Sequence, residues 1–430
     1  MEKQDIVIVG SGCAGLFAAL QFPIDKKITM ITKEVIEHSD SFLAQGGICV
    51  LKTPEDYQSF FDDTLKAGHY ENRKESVDIM INSSRETIRE LIGYGVDFAR
   101  DSDGSLLYTR EGAHSKPRIL YHEDETGKEI TSCLLRQVRS THPNVTIVEN
   151  TAMVDILTRG NCCFGVVIRR SDGTYDSIPA DYTMLACGGI GGLYTHSTNY
   201  PQLTGDGLSV CMEHGVAMEN INYVQIHPTT LYTKKPGRSF LISESVRGEG
   251  ALLYNAKMER FANELMPRDL LTKAIRKQMA EDGTDFVWED LRPIGEAQIK
   301  EHFPHIYSRC LEEGYDATKE CIPVTPAQHY FMGGIHVDED SKTTMEHLYA
   351  IGETACNGVH GRNRLASNSL LESLVFAKRA ALHIQENYET LGSEAPAADY
   401  SAYEPADELA QKRKERILAE IERLNRNEDQ

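Results

Sequence analysis

The ten cysteines of this 430-residue chain include no C-x-x-C pair. Cys162 and Cys163 are adjacent, a spacing that suits neither a disulfide framework nor a zinc or iron–sulfur centre. That pattern leaves no metal site to expect and fits a reducing, cytoplasmic setting. Long apolar runs are missing too. The one candidate, Ile6 to Phe22, lacks a basic flank ahead of it and is broken by Gly10, Gly12 and Gly15, so neither a signal peptide nor a membrane span is expected. Positive charge is scarce: 45 Lys and Arg stand against 65 Asp and Glu, a net charge of −20. A surface of that sign repels phosphate backbones and anionic bilayers at long range, which excludes nucleic acid and membrane as partners. An anionic substrate would meet the same field. Any site for one therefore needs Arg and His gathered locally.

Hydrophobic residues make up 40% and charged residues 26% of the chain, the composition of a globular protein, and the length predicts two or three domains. Internal repeats and low-complexity segments do not stand out. "DIVIVGSGCAGLFAALQF" opens with a continuous β-branched run and passes through a glycine turn into an apolar helical pattern; "KKITMITK" supplies a second strand. Within this β–turn–α–β unit, Gly10, Gly12 and Gly15 have the G-x-G-x-x-G spacing of a dinucleotide-binding turn. The acidic residue expected about 20 positions further on is replaced by Lys33 followed by Glu34. "TIVENTAMVDILT", "CCFGVVIRR" and "YTMLACGG" read as strands of an inserted sheet and a return to the nucleotide domain. From about 221 to 330 the alternation fades into charged helices, Pro-marked loops and many histidines, and "GIHVDEDSKTTMEHLYAIGET" then restores strand character. The expected organisation is a first domain over 1–220, completed by 331–400, an inserted domain over 221–330, and a tail over 401–430. In that tail Ile417, Ile421 and Leu424 fall at helical spacing. This reads as a solvated helix packing one narrow stripe in preference to a partner-binding helix.

Chemistry is carried by a constellation. "SFLAQGG" (41–47), "LACGGIGG" (185–192), "TGDG" (204–207), "QIHPTTLY" (225–232), "SESVRGEGALL" (243–253), "PRDLLTKAI" (267–275), "PAQHYFMGGI" (326–335), "YAIGE" (349–353) and "RNRLASNSLLES" (362–373) follow the glycine turn in that order. Together they resemble the succinate dehydrogenase/fumarate reductase flavoprotein family, and within it the aspartate oxidase branch, over roughly residues 5 to 390. The resemblance implies an α/β fold: a Rossmann-like FAD-binding domain with an inserted α+β capping domain and a short C-terminal helical tail. The resemblance implies that family members usually continue beyond this point as a helical bundle, where this sequence has only its charged tail.

The resemblance places FAD on the glycine turn, with Ser11, Gly12, Cys13 and Ala14 at the pyrophosphate and Lys33 on the adenosine side. Asp40, Ser41, Phe42, Leu43, Ala44, Gln45, Gly46 and Gly47 would run along the flavin, and Asp206, Glu353, Ser369 and Leu370 would complete the site. A helix beginning near Asn368 would turn its free N–H groups toward the electron-rich edge of the cofactor. Membrane-bound relatives attach FAD through a histidine at the position aligned with Asp40; none stands there, although His38 lies two residues away, so non-covalent FAD is expected.

Isolated histidines are more often satisfied core or surface groups than ligands. Here His227 precedes Pro228 in a predicted loop and His329 follows "TPAQ", and both fall on family positions that hydrogen-bond a dicarboxylate; Ser243 belongs to the same set. Arg364 would clamp a carboxylate in a bidentate fork. Arg362 matches no family arginine and is read as a solvated charge. Arg268 resembles the family's catalytic arginine, with Glu244 and Arg247, three residues apart, as its proton supply; on spacing alone these would be surface ion pairs. Since a guanidinium is a poor base in water, orientation of the substrate comes first and proton transfer second.

Glu111, in "TREGAHS" (109–115), falls where the aspartate oxidase branch places a glutamate. A carboxylate there repels a succinate and attracts an α-ammonium. The resemblance thus implies oxidation of L-aspartate to iminoaspartate by hydride transfer from Cα to flavin N5, with oxygen or fumarate as acceptor. It also implies coupling to quinolinate synthase in NAD biosynthesis. A soluble fumarate reductase or succinate-oxidising flavoprotein, and a non-catalytic flavin module, are the alternatives.

Overall fold

The computed structural model describes residues 2–235, 237–392 and 394–428. Its centre is a sheet in the order Val145–Val148, Ile28–Ile31, Gln4–Val9, Tyr175–Leu185, all parallel, with Leu348–Ala350 added in parallel to Tyr175–Leu185. Helices such as Cys13–Gln21 and Asn368–Glu386 cover one face, and residues of the strands Thr151–Arg159 and Cys162–Arg170 pack on the other, so the first strand is buried on both sides: Ile6, Val7 and Ile8 are each 0% exposed. Continuous β-branched sequence is what such a strand requires. The helix Cys13–Gln21 packs against Asn368–Glu386, whose Leu371, Leu374, Phe376, Ala377, Ala380 and Ile384 are all buried. Each large side chain among them contributes about 1.5–3 kcal/mol by leaving water.

"TIVENTAMVDILT" does not form one strand. Asn150 adopts the left-handed conformation at φ 52°, which short polar side chains tolerate and which ends the parallel ladder. Val145–Val148 stays in the central sheet, and Thr151–Arg159 pairs antiparallel with Cys162–Arg170. Tyr175–Leu185 serves both systems: Tyr175 to Pro179 pair antiparallel with Cys162–Arg170, and Ala180 to Leu185 lie parallel to the first strand.

A second sheet has the order Phe240–Leu241, Val224–Leu231, Ile322–Phe331, Val287–Asp290, Leu252–Tyr254. Its strands were hidden in the sequence by Pro228, Pro323 and Pro326, and the register shifts between His227 and Thr230. There Pro228 owes the ladder no N–H. His227 therefore lies on a strand and not in the expected loop. Val224–Leu231 and Ile322–Phe331 run antiparallel between two hydrophobic cores. Val224 and Phe331 pack into the core that holds Val7 and Leu185, whereas Leu231 and Val324 join Val246, Leu271 and Ile275 in a separate one. The tail helix Ala406–Glu428 sets Ile417 and Ile421 into the first of these cores, and Arg413 bonds Glu213 at 2.7 Å and the Val154 carbonyl at 2.8 Å.

One buried acid is unexplained by packing. Glu289 is 0% exposed and neither carboxylate oxygen has a partner. Burial pushes its pKa up to about 8, against the pull of the Arg247 charge. The folded chain then keeps a proton that the unfolded chain gives up, so rising pH between about 4.5 and 8 erodes stability, by up to a few kcal/mol. Glu289→Gln should accordingly raise the melting temperature more at about pH 8 than at about pH 5. A gain that is equal at both, or larger in acid, would show that Glu289 is ionised in the folded protein.

Candidate active site

The glycine turn leaves no room for side chains. Gly10 sits at φ 119°, and a Cβ there would lie 2.0 Å from the Ala186 carbonyl oxygen; at Gly15 a Cβ would lie 2.2 Å from the carbonyl oxygen of Gly10. The tight turn carries the first strand into the helix Cys13–Gln21, whose N-terminus opens on a cleft with an empty space of ≈ 1670 Å³, its mouth included.

Nearly all the expected cofactor residues line this cleft: Ser11, Gly12, Cys13, Ala14, Lys33, Asp40, Ser41, Leu43, Ala44, Gln45, Gly46, Gly47, Asp206, Glu353, Ser369 and Leu370. Phe42 does not, because the short helix Asp40–Leu43 turns it away from the lining. The Ser41 hydroxyl accepts the Cys13 N–H at 3.0 Å and so fixes that helix against the glycine turn. At the far end Lys33 and Asp206 pair with each other at 2.9 Å. Burial pushes the carboxyl of Asp40 up to about 7 and that of Glu353 up to about 8. Asp40 Oδ2 and Gln45 Oε1 are buried without a protein partner. His38 also borders the cleft, and its Nδ1 lies 2.9 Å from Glu34. Turn, glycines and orphaned polar atoms all fit a dinucleotide cofactor.

At the other end the seam strands and two helices bring the substrate candidates together. Arg268 is the first residue of the helix Arg268–Asp282, and its Nε donates to Glu244 at 2.6 Å. Glu244 opens the short helix Glu244–Gly248, capped by Ser243, whose hydroxyl accepts the Ser245 N–H at 3.2 Å. Burial works against the Glu244 charge, but the guanidinium groups of Arg268 and Arg247 outweigh it and hold its pKa below the ordinary value. Arg268 Nη1 donates to Gln225 Oε1 at 2.8 Å, and Gln225 Nε2 donates to the Arg364 carbonyl at 2.9 Å, so one amide ties the two arginine segments together. Arg364 donates from Nη1 to Ser369 at 2.8 Å, leaves Nε unpartnered, and lies 4.4 Å from the centre of the Tyr330 ring. Burial, then the Arg268 charge, lowers its pKa to about 10, which still leaves it cationic at neutral pH.

His227 and His329 stand between these arginines, their ring centres 5.1 Å apart. Nδ1 of His227 lies 3.0 Å from the carbonyl oxygen and 3.2 Å from the N–H nitrogen of Thr229, while Nε2 is buried without a partner. His329 Nδ1 lies 2.7 Å from the Thr198 hydroxyl. Burial and the neighbouring Arg268 charge keep both rings well below the ordinary histidine pKa, hence neutral. Across the cleft Glu111, 3% exposed, accepts the hydroxyls of Ser245 at 2.7 Å and Ser367 at 2.6 Å. Burial first, then the Glu244 charge, raises its pKa.

Arg247 does not reach the cleft. It lies buried behind Glu244, donating from Nη1 to the Glu264 carbonyl at 2.7 Å. Arg362 is exposed and lies 3.8 Å from Glu71. Arg238, a cation on the cleft wall that donates to the Thr198 carbonyl at 3.1 Å, is not legible in the sequence, because a lone arginine in a Gly/Pro/Lys loop carries no signal. Gln225 and Ser245 stand inside the quoted motifs, yet nothing local marks them as site residues.

The family model for an FAD binding domain matches residues 5–370. An L-aspartate oxidase of Clostridium perfringens is 48% identical over 403 residues, which is 93% of this chain and 91% of that protein. One of Acinetobacter baylyi is 40% identical over 90% of this chain and 73% of that protein. Among solved structures, a quinol-fumarate reductase with menaquinol molecules superposes with a TM-score of 0.84 at 31% identity, covering 96% of this chain and 76% of that one. A Mycobacterium smegmatis Sdh1 complex in the apo form gives 0.76 at 28% identity, over 95% and 72%. The cleft therefore opens on a fold shared with fumarate reductase, while agreement along almost the whole chain places the protein in the L-aspartate oxidase family of FAD-binding flavoproteins.

Proposed function

We propose that the cleft binds FAD non-covalently and oxidises L-aspartate to iminoaspartate. The observation that carries this reading is that Glu244 is spent on Arg268, whereas Glu111 is bonded only to serine hydroxyls and shares the cleft with Arg268, Arg364 and two neutral imidazoles. The cations suit two carboxylates, and the acid suits one ammonium. In this reading Ser11 to Ala14, Lys33 and Asp206 hold the dinucleotide half of the cofactor, and the segment Asp40 to Gly47, with Glu353, Ser369 and Leu370, holds the flavin. Bound there, FAD would supply the hydride acceptor for the Cα hydrogen, with oxygen or fumarate as the terminal oxidant.

The chain's own side chains do the rest. Arg364, with its free Nε, clamps one carboxylate; His227 Nε2 donates to a carboxylate oxygen when Nδ1 accepts the Thr229 N–H, and His329 and Ser243 add further contacts. Arg268, held at a fixed angle by Glu244 and Gln225, sets its charge beside the substrate. Arg247 acts at one remove by keeping Glu244 ionised. Glu111 accepts from the α-ammonium, a partner that offsets the cost of its burial. The amine must lose a proton before the C–H bond breaks, and Arg268 and Glu111 are the polar groups placed beside it. Residues 221–330 form the lid on this chamber, inserted into a cofactor domain of residues 1–220 and 331–400. We further infer that the imine, which hydrolyses readily, is passed to a quinolinate synthase in NAD biosynthesis, and that both reactions take place in the cytoplasm. Among the described residues no helix is long and apolar enough to cross a membrane.

Anaerobic addition of L-aspartate should bleach the bound flavin, whereas succinate should not; bleaching by succinate would instead select a succinate-oxidising enzyme. Arg364→Lys, which keeps the charge and loses the fork, should raise KM for aspartate about 30- to 100-fold. Glu111→Gln should cut aspartate turnover far more than fumarate reduction. Equal losses on the two reactions would remove Glu111 from amine recognition.

A further inference from the structure

Glu111 recognises nothing by itself unless its carboxylate is ionised and held. Its surroundings work against the charge: it is buried, and Glu244 stands nearby. Of the other ionisable groups that face it, Arg268 and Arg364 favour the charge, and Cys49 is a buried thiol. Were Glu111 protonated, it would donate a hydrogen bond where an ammonium needs an acceptor. Two hydroxyls stand against that outcome. Ser367 donates to Oε2 at 2.6 Å from the turn that leads into the helix Asn368–Glu386, and Ser245 donates to Oε1 at 2.7 Å from the helix Glu244–Gly248.

We propose that Ser245 is a positioning residue for amine recognition, its hydroxyl holding Glu111 as an oriented carboxylate so that the chain selects an amino diacid over a plain diacid. The inference rests on the reading of Glu111 as the ammonium acceptor. Ser245 is 7% exposed and can give its single hydroxyl proton to one acceptor only. The Ser243 hydroxyl, 3.2 Å away, donates to the Ser245 oxygen, which commits the Ser245 proton to Glu111 and polarises that bond. Gly46 packs close against the same oxygen: a Cβ there would lie 2.6 Å from Glu111 Oε1. The helix carrying Ser245 and the loop carrying Glu111 are locked together at two glycines: a Cβ on Gly248 would meet the Arg110 carbonyl oxygen at 2.5 Å, and one on Gly112 would meet Glu244 Oε1 at 2.4 Å. Ionised and bonded once at each oxygen, Glu111 keeps lone pairs free for an ammonium. Glu244 and Ser245 are thus neighbours on one helix with opposite effects on the same charge.

The test is Ser245→Ala in the FAD-loaded enzyme, with Ser245→Thr and Glu111→Gln beside it. For Ser245→Ala, KM for L-aspartate should rise about tenfold while kcat changes less than about threefold, and the acidic limb of kcat/KM should move up by about one pH unit. The dissociation constant of succinate, read from the change that it causes in the flavin absorption, should stay within about twofold. Ser245→Thr, which keeps the hydroxyl, should behave as the parent. Succinate weakened as much as aspartate, an acidic limb that does not move, or a threonine variant as impaired as the alanine one would overturn the role of Ser245. If Glu111→Gln does abolish the preference for aspartate in that case, the amine reading stands without Ser245. If Glu111→Gln leaves the preference intact, the amine reading itself falls and the inference with it.

Discussion

Everything at this site depends on the buried pair of Arg268 and Glu244. Moving either ion out of water costs several kcal/mol, and the contact is worthwhile only when geometry is tight and the remaining donors are used. Both conditions hold: the pair closes at 2.6 Å and the second arm of Arg268 is taken by Gln225. The pair also sets its neighbours. Its positive end helps keep His227 and His329 neutral and lowers Arg364. Its negative end raises Glu111. One ion pair therefore tunes the chamber toward a ligand with two negative ends and one positive group.

Placing that pair requires two cores to be joined in a fixed way. The strands Val224–Leu231 and Ile322–Phe331 do so; His227 lies at the middle of the first and His329 two residues before the end of the second. His227 and His329 are set by the strand register, while Arg268 and Glu244 are set by helices packed on the same sheet. A site built on regular elements at a seam can be rigid within each half and still admit a ligand between the halves.

The net charge of −20 gives this arrangement a further role. The outer surface repels a dicarboxylate, so binding falls to the part of the cleft where Arg268, Arg364 and two neutral imidazoles gather. Low local dielectric strengthens every contact there. It equally strengthens the penalty for an unpaired acid, which is why Glu111 needs its two serine hydroxyls whereas an exposed glutamate would not.

The glycine turn, the buried parallel strands and the helix from Asn368 were legible along the chain, because local patterns of glycine spacing, β-branching and helical periodicity act over a few residues. Motif order was enough to gather the cleft-lining residues, Arg268, Glu111 and Arg364 among them. Tertiary structure decided what no local rule could. Prolines concealed the strands that carry His227 and His329; Pro228 is accommodated in a register shift, and Pro323 stays paired opposite Trp288. Phe42 faces away and Arg247 lies behind the wall, since contiguity along the chain does not fix direction in space. Arg238, Gln225 and Ser245 matter only through partners 40, 43 and 134 positions away. Hydrogen bonds of that span form only after the cores have packed.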